Sequence, residues 1–441
     1  MEAKKEISQE ELSDILGTTI VCDDVNKNIV FLAMLTAYTE SDQLSVCLLG
    51  QSSSGKTYIP QETAKYFPEE DVREYASVTP TAFKYMADEV SEDGNTSYVN
   101  LERVILLFSE MPNSAVLANL RPVLSHDKKE TEFVSTDIGS GRQKKARRTI
   151  IVGYPAVIFC SANINLNEQE ATRSILLSPE TSKEKIDRAV SMVIRKNSDP
   201  DEYAKSIAAQ EKREWLKQRV LYVKDLNIDS VIITNVDLVT DYFSRITPNS
   251  MPRNPRDIAH VMSLIKAIAM LNAPCREVKI IEGKNKLLAT ISDINEGFSL
   301  WSKISRTQIT GLAPAALNFY EKYIVPCYRE LKDDIFEGRR EDGVTIEDII
   351  SFCYKVDGGL STDRFTITKG FLPSLKRVGL LLERRSKHDG RVKIFSITDS
   401  TEELGRAPLS FSCAQSSDDK ATNNDNQKPQ NYTINEDEIP F

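Results

Sequence analysis

Eight consecutive residues carry the most specific chemistry in the chain: Gly50, Gln51, Ser52, Ser53, Ser54, Gly55, Lys56 and Thr57. Their spacing is G-x-x-x-x-G-K-[ST]. In such a loop the glycines let backbone N–H groups wrap a chain of phosphates, the lysine neutralises β and γ charge, and the last hydroxyl sits on Mg²⁺. The apolar run "LSVCLLG" leads into the loop and a helical stretch leaves it, which is the strand–loop–helix setting the chemistry requires. The expected cofactors are therefore ATP and Mg²⁺, with Thr57 on the metal.

A phosphate loop needs an acidic residue at the end of a second strand. "VILLFSE" supplies Glu110, placed to polarise the attacking water. The usual ending is Asp-Glu, with the Asp helping to hold Mg²⁺ through water; here Ser109 stands at the Asp position. That departure bears on the rate of hydrolysis rather than on nucleotide binding. A third apolar run, "VIFCSAN", ends on Asn163, whose amide can position the lytic water. Arg173 and Arg256 follow where nucleotide-sensing arginines are expected, with Arg253 as the rival of Arg256.

These residues need a rigid frame. "LSVCLLG", "RVILLF", "PAVIFCSA" and "SILLS" are short, wholly apolar runs separated by helical stretches, with "EYASV" as a weaker fifth. That pattern predicts an α/β fold with a parallel sheet covered on both faces. "ETEFVSTDIGSGRQKKARRTIIVG" reads as a β-hairpin turning at Gly139 to Gly141. Residues 7–40 read as helices, and 181–325 as mostly helical, from their apolar spacing. Near residue 340 the pattern changes to short helices and a terminal hairpin turning at Asp389-Gly390.

The hairpin tip carries five cations, Arg142, Lys144, Lys145, Arg147 and Arg148, with few aromatics nearby. The expected contact is with the backbone of single-stranded DNA rather than with stacked bases. In the later segment Lys369, Lys376 and Arg377 lie on a candidate recognition helix, and Arg384, Arg385, Lys387 and Arg391 on the hairpin after it.

The order of these motifs resembles that of AAA+ ATPases. The hairpin before the Asn-ended strand resembles the pre-sensor-1 insertion of minichromosome-maintenance-type replicative helicases. The wording of "LSVCLLGQSSSGKT", "VILLFSEM", "PAVIFCSANINLNEQEATRSILLS" and "PRDIAHVMSLIKAIAML" is similar to helicase-like ATPases of phages, plasmids and other mobile elements. The resemblance spans residues 20 to about 275. It implies Lys56 and Thr57 as Walker A residues, Glu110 as Walker B, Asn163 as sensor 1, Arg173 as an arginine finger and Arg256 as sensor 2. A finger serves a neighbouring subunit, so the resemblance also implies a homo-oligomeric ring, expected to be a hexamer. Residues 326–400 resemble a winged helix.

The expected division is an N-terminal helical segment at 1–40, an AAA+ core at 41–200 with its hairpin at 131–152, a helical lid at 201–325, the winged helix at 326–400 and a disordered acidic tail at 401–441. The tail holds eight acidic and three basic residues, over half of the chain's net charge of −9. Its tip, Glu436, Asp437, Glu438, Ile439, Pro440 and Phe441, resembles the C-terminal tip of bacterial single-stranded DNA-binding protein, which implies host replication and repair enzymes as partners. Seven cysteines without a C-x-x-C pair, and three histidines, argue against a zinc site and for a reducing cytosol. With no run of about 18 apolar residues, the chain reads as cytoplasmic and not membrane-bound. Two functions fit: a DNA helicase or replication ATPase of a mobile element, and a non-translocating helicase loader or ATP-gated DNA-binding regulator.

Overall fold

The computed structural model describes residues 5–76, 78, 87–91, 95–138, 144–162, 173–247, 252–358 and 363–398. For residues 114, 135–138 and 144–147 it describes the backbone alone. Asn163, Arg142, the hairpin tip and the whole 401–441 tail lie outside these residues.

The strands, in chain order, begin with β1 (Ser45–Leu49), β2 (Val72–Tyr75), β3 (Glu89–Val90), β4 (Thr96–Asn100), β5 (Ile105–Phe108), β6 (Glu130–Ile138) and β7 (Lys144–Val152). They continue with β8 (Ala156–Ser161), β9 (Ile175–Leu177), β10 (Ser230–Ile233), β11 (Val278–Ile281), β12 (Lys284–Ala289), β13 (Leu381–Arg385) and β14 (Lys393–Ile397).

Five of them form the central sheet in the order β2-β5-β8-β1-β9. Every pairing in it is parallel. Side chains alternate across a strand, so each apolar run feeds two cores. Val46, Leu48, Ile105, Leu107, Ile158 and Cys160 pack on one face with the helices Gln9–Leu16, Asp24–Leu35, Glu211–Asp225, Asn254–Leu271 and Ile291–Ser302. Cys47, Leu49, Leu106, Phe108, Val157 and Phe159 pack on the other with the helix Ser114–Leu124 and with residues from Leu312 onward. The parallel sheet, the phosphate-loop motif after its interior strand β1 and the helices that follow are the architecture implied by the AAA+ resemblance.

Two parts go beyond the sequence reading. The arms of the expected hairpin, β6 and β7, pair antiparallel, and β7 also pairs parallel with β4, in a separate sheet ordered β3-β4-β7-β6. The mostly helical region holds a second small sheet, β10-β12-β11. Its helices Asn254–Leu271 and Ile291–Ser302 approach so closely that a Cβ on Gly297 would run into Ile265. At the C-terminal end the helix Ile346–Asp357 opens on a Thr345–Asp348 capping box. A second helical stretch ends at Arg377, and β13 pairs with β14 across a turn where the Val392 N–H reaches the Asp389 carbonyl at 2.9 Å.

Candidate functional site

The phosphate loop leaves β1 at the carboxyl end of the sheet. Gly50 N–H donates to the Ser161 carbonyl at 3.1 Å, which ties the start of the loop to the end of β8. A Cβ on Gly50 would meet Ser54 Oγ at 2.6 Å, so a larger residue here would force the Ser54 hydroxyl to turn away. Gly55 needs glycine for conformation: its φ is +89°, and a Cβ there would meet only Lys185 Nζ, at 3.8 Å. Ser53 is also left-handed, at φ +65°. Lys56 folds back over the loop, with Nζ donating to the Gln51 carbonyl at 3.1 Å. Thr57 precedes the helix Tyr58–Ala64 and its side chain makes no capping bond.

The loop suits a phosphate chain. Ser54 Oγ is buried without a hydrogen-bond partner, a polar atom that a ligand oxygen would satisfy. A cleft of about 920 Å³ opens along Gly50, Gln51 and Ser54 and is lined also by Phe319 and Tyr323, while Lys56, Thr57 and Glu110 lie outside its lining. That is the size of an ordinary small-molecule site. Among the described residues no cluster of three His, Cys, Asp or Glu could hold a metal on its own. Mg²⁺ commonly takes one or two carboxylates and leaves the rest to phosphates and water, so the residues present fit it.

Sequence reasoning missed the brace behind the loop. Lys185, in the first turn of the helix Lys183–Ser198, donates to the Ser54 carbonyl at 3.3 Å and ion-pairs with Asp23, whose side chain is 1% exposed. Asp23 also accepts from Glu180 N–H at 2.7 Å and from Asn26 Nδ2 at 2.8 Å. Residues 23, 54 and 185 meet only in the fold, and no local spacing signals them.

The second side of the site is the end of β5. Glu110 is exposed there. Ser109 donates from Oγ to Glu74 Oε1 at 3.2 Å, and Gln61 Nε2 donates to the same oxygen at 2.6 Å. Glu74 and Gln61 were not foreseen either. Cys160 lies between the two sides, its Sγ donating to the Lys56 carbonyl at 3.3 Å. Burial pushes its thiol up to about 12, with Lys56 opposing and Glu74 adding to the shift.

The arginines separate by their partners. Arg173, half-buried just before β9, donates from Nε to Ser125 Oγ at 2.9 Å. Arg253 is held in a two-pronged pair with buried Asp257, at 2.8 and 2.9 Å. Arg256 is exposed in the first turn of the helix Asn254–Leu271.

The cations of the two basic regions also differ. On the hairpin, Lys144, Lys145, Arg147 and Arg148 follow one another along β7, opposite Ile138, Asp137, Ser135 and Val134 of β6. The Arg148 side chain is 65% exposed, with Nε 3.3 Å from Glu132. In the C-terminal region Lys376 pairs with Glu383, which Lys393 also reaches at 2.7 Å. Arg384 pairs with Glu341 at 2.6 Å. Hydrogen bonds from the Ser386 hydroxyl, the Arg384 guanidinium and the Lys387 N–H hold the Glu341 carboxyl down to about 2. Arg377 and Arg385 are exposed. Among the described residues no helix is long and apolar enough to cross a membrane.

No family model matches the chain. No curated protein matches it. Among solved structures it is similar to a full-length MCM homolog from Methanopyrus kandleri, at 11% identity and a TM-score of 0.41, over 68% of this chain and 59% of that one. The chain thus covers less than two thirds of that homolog. It is also similar to a protein described as SCCmec type IV Cch, active helicase, at 12% identity and a TM-score of 0.32, over 89% of this chain and 71% of that one.

Proposed function

We propose that this chain is an AAA+-type ATPase that works as a DNA helicase or replication ATPase of a mobile genetic element, in the cytoplasm, as a ring on single-stranded DNA. The observation that carries the reading is the loop Gly50–Thr57, with two left-handed residues, an orphaned Ser54 hydroxyl and Lys56 lying across it, at the carboxyl end of an interior parallel strand.

Bound Mg²⁺ would offset phosphate charge, with Thr57 as its protein ligand. Lys56 binds the β and γ oxygens by leaving the Gln51 carbonyl, a neutral partner it gives up at small cost. Glu110 orients the attacking water and draws on its proton, and Asn163 fixes that water from the next strand. Arg256 reads the γ-phosphate within the subunit. Arg173 reaches the nucleotide of the neighbouring subunit, which makes hydrolysis sensitive to subunit rotation. Arg142, Lys144, Lys145, Arg147 and Arg148 grip DNA phosphates, and the C-terminal region acts as a winged helix with Arg377 and Arg385 as its exposed cations and Lys376 paired with Glu383. Glu436 to Glu438 steer the tail to a basic surface, and Ile439, Pro440 and Phe441 dock there on a host replication or repair enzyme. Loss of a tail peptide's binding on removal of Phe441 checks that last role.

Ser109 favours one second reading, a loader or ATP-gated switch that hydrolyses slowly and does not translocate. Strand displacement on a forked duplex separates the two. The helicase displaces the strand in the presence of ATP; hydrolysis without displacement leaves the loader.

A further inference from the structure

The position that ordinarily brings a second carboxylate to such a site holds Ser109, and the fold places another carboxylate beside it. Val72, Ile105 and Leu107 pack in the same apolar cluster, so Glu74 on β2 and Ser109 after β5 face the same side of the sheet. This is the side on which the helix Tyr58–Ala64 lies, since Ile59 belongs to that cluster too. Ser109 N–H donates to the Tyr75 carbonyl at 3.0 Å, which fixes the two strand ends in register. Adjacent strands are about 4.8 Å apart, a gap that the extra methylene of a glutamate helps to span where a serine leaves room.

Two neutral donors aim the carboxylate. Ser109 Oγ and Gln61 Nε2 both donate to Oε1 of Glu74, and no described residue donates to Oε2. Gln61 sits one turn beyond Thr57 on the same helix, with its N–H on the Thr57 carbonyl at 3.3 Å. Glu74 therefore lies a single side chain away from the helical turn that follows the metal-binding hydroxyl. Cys160, whose Sγ touches the Lys56 carbonyl, senses Glu74 and Lys56 together, so the carboxylate shares the electrostatic surroundings of the loop lysine.

We propose that Glu74, aimed by Ser109 and Gln61, supplies from the neighbouring strand the carboxylate that holds the water shell of Mg²⁺ in the nucleotide site. The proposal rests on the phosphate-loop reading above. Mg²⁺ keeps several of its waters and binds proteins through few carboxylates, so a water-mediated contact from a longer side chain serves the same purpose as a shorter one from β5. Glu74 acts through those waters and is a positioning residue.

The test is the Mg²⁺ dependence of binding of a fluorescent ATP analogue by the full chain, followed by anisotropy. Three variants are compared with the wild type: Lys56→Ala, Glu74→Gln, and Glu74→Gln combined with Ser109→Asp. Glu74→Gln keeps the shape and an acceptor for both donors, so the fold is retained. The Mg²⁺ concentration for half-maximal effect is expected to rise by about tenfold in Glu74→Gln, the usual loss for a group that orients metal ligands, while affinity in EDTA stays at the wild-type value. Ser109→Asp in that background is expected to recover most of the loss. An unchanged Mg²⁺ midpoint in Glu74→Gln overturns the role of Glu74 while leaving the loop reading in place. Nucleotide binding that is absent from the wild type, or indifferent to Lys56→Ala, overturns the loop reading and this proposal with it.

Discussion

The proposed nucleotide site has two sides, and they are built on different principles. On the β1 side the loop, partly buried with Ser52 and Ser53 exposed, is held by main-chain bonds and left-handed turns and braced from behind by the nearly buried Asp23–Lys185 pair. On the β5 side Ser109, Glu74, Gln61 and Glu110 are half-exposed or exposed side chains from three separate segments. The first side is tied to a buried ion pair and pre-organised. The second rests on the core without contributing to it. A carboxylate can therefore move from one strand to the next on the β5 side without disturbing the fold, whereas a change behind the β1 loop is felt as stability.

The sharpest way to break this comparison is Lys56→Ala. It removes the cation from the loop but only one hydrogen bond from the folded chain. Hydrolysis, measured as phosphate release, is expected to fall by at least about 10³-fold, with stability within about 0.5 kcal/mol of the wild type. Residual hydrolysis near the wild-type rate would mean that the loop is not the working site.

Glu110→Gln should show the β5 side acting on turnover alone. Nucleotide binding is expected to persist while the rate falls by about 10²–10³-fold, the usual contribution of a general base, with an unaltered urea midpoint. Asp23→Asn is the counterpart behind β1. It leaves the nearly buried Lys185 ammonium without its counter-ion, and stability is expected to drop by about 3 kcal/mol in urea titration. If Asp23→Asn proves neutral, the brace does not couple the loop to the core and the contrast between the two sides disappears.

The loop and the central sheet were readable because their signals are contiguous. G-x-x-x-x-G-K-[ST] needs no partner to be recognised, and β1, β5 and β8 are runs apolar but for a terminal serine in β1 and β8, which fit a doubly covered sheet. "EYASV" misplaced β2, which starts at Val72 where polar residues already break the run. β3 has two residues and β4 is the mixed run "TSYVN", so neither carries an apolar signature. β11 and β12 did carry a signal: Glu282-Gly283 follows the Ile280–Ile281 end of a strand-like run, and in the structure both residues take positive φ in a tight hairpin turn. Asp23, Lys185, Gln61 and Glu74 could not be read, because each acts on a residue far away in the chain. The tie between Arg253 and Asp257 is an i, i+4 pair and was within reach of the sequence.

The smallest expected effect concerns the hairpin. Replacing Lys144 and Lys145 with Ala should weaken single-stranded DNA binding and flatten its log–log salt dependence by roughly 0.7 per lost phosphate contact, with basal hydrolysis unchanged. An unaltered slope would make these cations a solvated face.

In the proposed function the loop and the basic hairpin belong to one DNA-driven motor. Its most direct measurement is the Mg²⁺-dependent ATP hydrolysis rate of the intact chain, titrated with single-stranded DNA at two salt concentrations. The account predicts a rate that rises several-fold with DNA and a half-saturation point that shifts to higher DNA concentration as salt increases. A rate that ignores single-stranded DNA at both salt concentrations, in a protein that binds the DNA, would contradict it.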